Sequence, residues 1–194
     1  MSRKPRSLSE TGLYHITSRG NNRQSLFQRD ADFQIYLSLL RNLKQVYSFD
    51  LYHYCLMTNH VHLLIRFTDQ NHIKKVMQRL NGTYAKYFCR EYQYIGHVFH
   101  QRYKSFPIEK DSYWLDCGRY IERNPLNAVM VKNLVDYFWS SYAFYAFDRP
   151  DPLLTVSPLF LELSLDQEAR KAAYQKYVST VRPYENFEVN RKLI

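Results

Sequence analysis

Apolar and polar residues alternate along "GLYHITSRG", Gly12 to Gly20, and the alternation ends at a Gly-Asn-Asn turn signal. The period then changes. From Asp30 through Val46, the residues Phe33, Tyr36, Leu37, Leu40 and Leu43 recur at helical spacing, which predicts a helix. Asp50 to Met57 reads as a second strand, Thr58-Asn59 as a tight connection, and His60 to Phe67 as a third strand closing a hairpin. Gln70 to about Arg90 predicts a long amphipathic helix, with Ile73, Val76, Met77, Leu80, Tyr84, Tyr87 and Phe88 on one face. "HVFHQRYKSFPIE" predicts a fourth strand. Asp111 to Arg123 predicts a short helix capped by Asp111, with Pro125 expected to stop it at Asn124. The succession strand–helix–strand–strand–helix–strand, followed by one more helix, predicts an α+β fold. It is a ferredoxin-like (RRM-like) antiparallel sheet with helices on one face and a further helix beside it.

Beyond Asn124 the pattern weakens. "DYFWSSYAFYAF" is aromatic enough to pack back on the sheet, "DRPDPLLTVSP" (Asp148 to Pro158) reads as a loop, and Asp166 to Ser179 predicts a last helix before a polar tail. This divides the chain into a main domain, 1–147, and a C-terminal loop and helical extension, 148–194, packing on it.

A length of 194 residues suits one such domain. No apolar run approaches the length of a bilayer span, and the basic start "MSRKPRSLSE" lacks the apolar segment of a secretory signal. Cys55, Cys89 and Cys117 are odd in number and far apart, which argues against a disulfide framework or a cysteine zinc site and points to a reducing cytoplasm. The formal net charge of +9 changes the picture more, because a basic protein without a membrane segment commonly meets nucleic acid. The 18 tyrosines strengthen that expectation, since bases of single strands stack on rings while phosphates pair with cations.

The third strand carries the candidate chemistry. In "LMTNHVHLLI", His60 and His62 lie two apart and therefore on one face of a strand, with Val61, Leu63 and Ile65 on the other. Alone, such a pair is more often two hydrogen-bonded histidines than a metal site. If the helix bearing "GRYIERNP" covers that face, Tyr120 and Asn124, four apart, come within reach together. Two imidazoles and an amide oxygen with open positions suit Mg²⁺ or Mn²⁺, and a phenol beside such an ion is a nucleophile for phosphoryl transfer. On spacing alone the plainer alternative, Tyr120 in the core and Asn124 as a cap, is preferred. Tyr113, seven residues earlier on a similar face, is the second candidate nucleophile, and Cys117 reads as a buried helix residue.

Candidate phosphate or base contacts are Arg19, Asn21, Asn22 and Arg23 in "SRGNNR", and Arg102 with Lys104, which share a strand face. Lys75, Arg79, Lys86 and Arg90 form a basic stripe on the long helix. His97 and His100, three apart, point to opposite faces and are set aside as a second metal pair.

Taken in order, "GLYHITSRGNNRQ", His60-Val61-His62, "FHQRYKS", "RYIERNPL" and "WSSY" resemble the REP-associated tyrosine transposases, a branch of the single-tyrosine HUH transposases. The resemblance spans roughly residues 8 to 160. It implies an HUH endonuclease fold and cleavage of single-stranded DNA near imperfect hairpins. Tyr120 would attack the scissile phosphate to give a 5′-phosphotyrosine, and His60, His62 and Asn124 would bind the metal. Asn124 matches the REP-associated branch, whereas many insertion-sequence relatives carry Gln there. The partner implied is hairpin-bearing single-stranded DNA at the prokaryotic nucleoid, with a monomer expected and a homodimer as the alternative. The rival function is a basic module that holds DNA or RNA on its sheet without chemistry. Such sheets present aromatics in their central strands, where this one presents histidines.

Overall fold

The computed structural model describes residues 8–181; the basic N-terminal start, up to residue 7, and the polar tail from 182 onward lie outside the described residues. Strands β1 (Leu13–Arg19), β2 (Phe49–Met57), β3 (His60–Phe67) and β4 (Lys104–Pro107) form one sheet in the order β2-β3-β1-β4, every neighbouring pair antiparallel. This is the ferredoxin-like order that the succession of elements predicts. Between β1 and β2 lies α1 (Asp30–Tyr47), and between β3 and β4 lies α2 (Asn71–Glu91). After the sheet come α3 (Asp111–Asn127), α4 (Tyr142–Phe147), α5 (Pro158–Leu161) and α6 (Gln167–Ser179).

The pleat sorts the sheet into two chemistries. Val61, Leu63 and Ile65 of β3, with Tyr14 and Ile16 of β1, face a core completed by Leu40 of α1 and Val76, Leu80 and Tyr84 of α2. The other face carries His60, His62 and Leu64, and α3 covers it through Trp114, Cys117 and Ile121. In β2 a register shift between Leu51 and His53 breaks the alternation. As a result Tyr52 and His53 both look toward α3, Tyr52 packing on Trp114 and His53 meeting Glu122. Strict alternation in the sequence could not reveal this.

Two expectations are corrected. The fourth strand is shorter than "HVFHQRYKSFPIE" suggested: only Lys104–Pro107 pairs with β1. Upstream, the edge of β1 is met by single bonds instead, from His100 N–H to the Arg19 carbonyl (2.9 Å) and from Asn21 N–H to the Val98 carbonyl (2.9 Å). The break leaves Gln101 and Arg102 exposed beside the sheet rather than laid along it.

Helix α3 does not stop at Asn124, and Asp111 is its first residue rather than its cap, Lys110 holding the cap position. Pro125 sits inside it. A proline there has no N–H for the Ile121 carbonyl one turn earlier. The Asn124 side chain makes up the loss, its Nδ2 donating to the carbonyls of Tyr120 (2.8 Å) and Ile121 (3.2 Å). The helix therefore continues for most of another turn.

The C-terminal elements form a third layer. Tyr145 of α4, Phe160 of α5, and Tyr174 and Val178 of α6 share one apolar cluster. Asp166 caps α6 by accepting from Ala169 N–H at 2.7 Å. No described helix is long and apolar enough to cross a membrane.

Candidate active site

β3 and α3 bring four of the sequence-predicted residues together. The rings of His60 and His62 lie edge to face, 4.8 Å between centroids. The Tyr120 ring stands edge-on to His62 at 5.7 Å. Asn124, one turn further along α3, is close enough to influence the ionisation of both His60 and Tyr120. Helix α3 can come this close to the sheet because residue 118 is glycine. A Cβ there would lie 2.7 Å from the His53 ring.

Each ligand candidate has one nitrogen occupied and one open. Asn59 donates its Nδ2 to the Arg23 carbonyl (3.3 Å), which turns its Oδ1 toward His60 Nδ1 at 2.6 Å. An amide oxygen only accepts, so His60 Nδ1 carries the proton and Nε2 keeps a lone pair. His62 Nδ1 lies 2.9 Å from His15 Nε2, whereas His62 Nε2 is buried without a hydrogen-bond partner among the described residues. With the shared proton on His62 Nδ1, its Nε2 likewise keeps a lone pair. The Asn124 nitrogen is committed to helix carbonyls, so the atom it offers the site is oxygen.

Burial keeps this cluster uncharged. It lowers His15 to about 3 and His60 to about 4, the Arg19 charge adding to the effect at His60. His62 is pushed well below the ordinary value by burial and then by His15 and His60. All three rings are therefore neutral at neutral pH, the form that binds metals. Burial raises the Tyr120 phenol to about 12, with Cys117 adding to it and the Asn124 bond opposing it.

A divalent ion fits these residues. The orphaned, buried His62 Nε2, the open His60 Nε2 and the Asn124 oxygen form a neutral N₂O set that leaves places for water or phosphate oxygen. Among the described residues no cluster of three or more His, Cys, Asp and Glu could hold a metal. A third protein ligand joining the two histidines would come from another residue type, as the asparagine does.

A cleft of about 430 Å³ opens over the histidines, with Arg19, Asn59, Arg102 and Lys104 on its walls. His100, set aside from the sequence, also lines it, while His97 does not. Asn21, Asn22 and Arg23 form a 3₁₀ turn at the end of β1, and Arg23 reaches the site through its backbone carbonyl. The stripe of Lys75, Arg79, Lys86 and Arg90 is not brought to this site. It lies exposed on α2, which packs against the opposite face of the sheet. Tyr113 is 59% exposed, about two helical turns from Tyr120. Sequence reasoning missed His15 and Asn59. His15 was legible only as a polar residue on an inward position of β1, and Asn59 only as half of a turn.

Both the sequence and the fold resemble those of known proteins. Over residues 9–124 the sequence matches the family described as "Transposase IS200 like". No curated protein matches the chain. Among solved structures, a REP-associated tyrosine transposase bound to a REP hairpin shares the fold, with a TM-score of 0.65 at 16% identity, over 82% of this chain and 93% of that one. A putative transposase from Deinococcus radiodurans R1 is 19% identical over 63% of this chain and 97% of its own, with a TM-score of 0.44 that is too low to bear on the site. The family match covers well over half of the sequence and contains His60, His62, Tyr120 and, as its last residue, Asn124. The protein belongs to the IS200-like transposase family.

Proposed function

We propose that this transposase cleaves single-stranded DNA beside a hairpin, with Tyr120 as the nucleophile and His60, His62 and Asn124 as ligands of Mg²⁺ or Mn²⁺. The observation that carries the reading is the position of the Tyr120 ring against His62, one helical turn from Asn124 and beside a histidine whose buried Nε2 has no hydrogen-bond partner among the described residues. A bound divalent ion would polarise the phosphate oxygens and stabilise the leaving oxygen.

Arg19, Arg102 and Lys104 would steer the strand by its phosphates into the cleft over the histidines, next to which the Tyr120 ring stands against His62. The Tyr120 oxygen attacks phosphorus as the bond to the preceding 3′ oxygen breaks. The products are a 5′-phosphotyrosine and a free 3′-hydroxyl, and the phenolic proton leaves as the new bond forms. A phenol raised to about 12 is protonated at rest, so its reactivity depends on orientation and on the electrophilicity of the phosphate.

The hairpin preference is supported by Asn rather than Gln at 124, as in the REP-associated branch, and by the hairpin held by the structural neighbour. One chain supplies all four residues, which supports a monomer as the working unit, acting at the nucleoid. The rival, a binding module without chemistry, is disfavoured by histidines standing where an RNA-binding sheet would present aromatics.

Incubation with labelled hairpin DNA and Mn²⁺ tests the reading. Wild type and Tyr113→Phe should form a covalent adduct, whereas Tyr120→Phe should form none while still binding the hairpin. An adduct that persists in Tyr120→Phe, or that maps to Tyr113, overturns it.

A further inference from the structure

Helix α3 faces three ways. Tyr120 and Asn124 stand beside the histidines, and Trp114, Cys117 and Ile121 lie on the sheet. On a third side, Arg119, Glu122 and Arg123 are buried polar groups that the proposed chemistry does not use. All three turn toward residues that lie beyond the span of the family match or on β2.

Glu122 is fully buried. Its Oε1 accepts from Ser141 Oγ (2.6 Å) and lies 2.9 Å from His53 Nδ1, and its Oε2 accepts from the Tyr174 hydroxyl (2.6 Å). One carboxylate thus ties α3 to β2, to the start of α4 and to α6. Arg119 donates from Nε to the Tyr177 carbonyl (2.8 Å) and from Nη2 to the Thr180 carbonyl. Arg123 donates to the carbonyls of Val178 (2.7 Å) and Ser179 (3.3 Å). These acceptors are the last carbonyls of α6, which have no partners within their own helix and sit at its negative end. Two guanidinium groups of α3 therefore cap α6. In the same contact, the Tyr177 hydroxyl donates to Asp116 at 2.7 Å.

We infer that α6 is a clamp for the nucleophile helix, and that Arg119, Glu122 and Arg123 are positioning residues that hold the Tyr120 oxygen at its place beside the histidines. The alternation is local and geometric: Arg119 and Ile121 flank Tyr120, and Glu122 and Arg123 lie between it and Asn124. Any roll or slide of α3 that would displace the phenol must break bonds to α6 first. This assigns a function to the C-terminal elements and rests on the reading of Tyr120 as nucleophile.

The test uses full-length Tyr174→Phe, Arg123→Met and Arg123→Lys, each shown to be folded by circular dichroism. Tyr174→Phe removes one bond to Glu122 and keeps the ring, and Arg123→Met removes one of the two guanidinium caps on α6. At saturating hairpin DNA, both should form the adduct about 10–100-fold more slowly, the scale of a misplaced reacting atom, with hairpin affinity unchanged. Arg123→Lys, which still donates to the α6 carbonyls, should recover most of the rate. Amide hydrogen exchange supplies a readout independent of catalysis: residues 111–127 should exchange faster in the two weakened variants, while α1 and α2 keep their protection. Adduct rates at the wild-type level, or a loss of protection spread evenly over the protein, overturn the clamp. If wild type forms no adduct, the nucleophile reading fails and the exchange pattern alone judges whether α6 restrains α3.

Discussion

His15 Nε2 and His62 Nδ1 lie 2.9 Å apart, their buried rings stacked within 17° of parallel. Two neutral imidazoles can share only one proton along that line, so His15 decides which nitrogen of His62 faces the cleft. Groups that orient a metal-binding histidine in this way commonly matter almost as much as the ligand. His15→Leu should weaken Mn²⁺ binding about 10–100-fold, and His15→Gln, which keeps an acceptor oxygen, should lose less. Calorimetric titration with Mn²⁺ in the absence of DNA measures this; equal affinity in wild type and His15→Leu would dismiss the role.

The same burial makes stability depend on pH. The folded-state values of His15 and His60, about 3 and about 4, lie below the ordinary value near 6.5. Between those limits the unfolded chain binds more protons than the folded one, so the stability from these neutral rings is present above about 6.5 and is lost as pH falls toward 4. The melting temperature should therefore drop between pH 7 and pH 5. His60→Gln should show a shallower decline over that interval, and an identical slope in variant and wild type would count against it.

Asn124 has a second task, as donor to the Ile121 carbonyl that Pro125 leaves unserved and to the Tyr120 carbonyl beside it. Asn124→Asp keeps an oxygen for the cleft but cannot donate, so stability should fall by about 1–3 kcal/mol. Adding Pro125→Ala restores an N–H for the Ile121 carbonyl and should recover part of the loss. Urea unfolding of the single and double variants decides the point: additive losses, with no recovery, would contradict it.

Binding separates the two basic surfaces. Arg102 and Lys104 line the cleft, while Lys75, Arg79, Lys86 and Arg90 lie on the far side of the sheet. Arg102→Gln with Lys104→Gln should weaken hairpin binding and reduce the slope of log affinity against log salt by about one unit per lost phosphate contact. Arg79→Gln with Lys86→Gln should leave both nearly unchanged. Fluorescence anisotropy over a range of salt concentrations measures this, and the reverse ranking would move the DNA path to α2.

Periodicity by itself determined the succession of the four strands and the two helices that join them. The third strand begins and ends at His60 and Phe67 as its pattern predicts, because side chains must alternate across a pleated sheet with one apolar face. The pairing of His60 with His62, and of Tyr120 with Asn124, follows from the same local geometry, two residues in a strand and four in a helix. What lay beyond the sequence depends on contacts between distant segments. The extension of α3 through Pro125 needs a side-chain donor whose direction no propensity describes. The shift at Tyr52 in β2, the break before Lys104, and the meeting of His15 with His62 arise from strand pairing and register. The α2 stripe looks the same in sequence whether it faces DNA or solvent, because a helix records which residues share a face and not what that face meets. That last choice belongs to tertiary packing, which set the stripe and the histidines on opposite sides of one sheet.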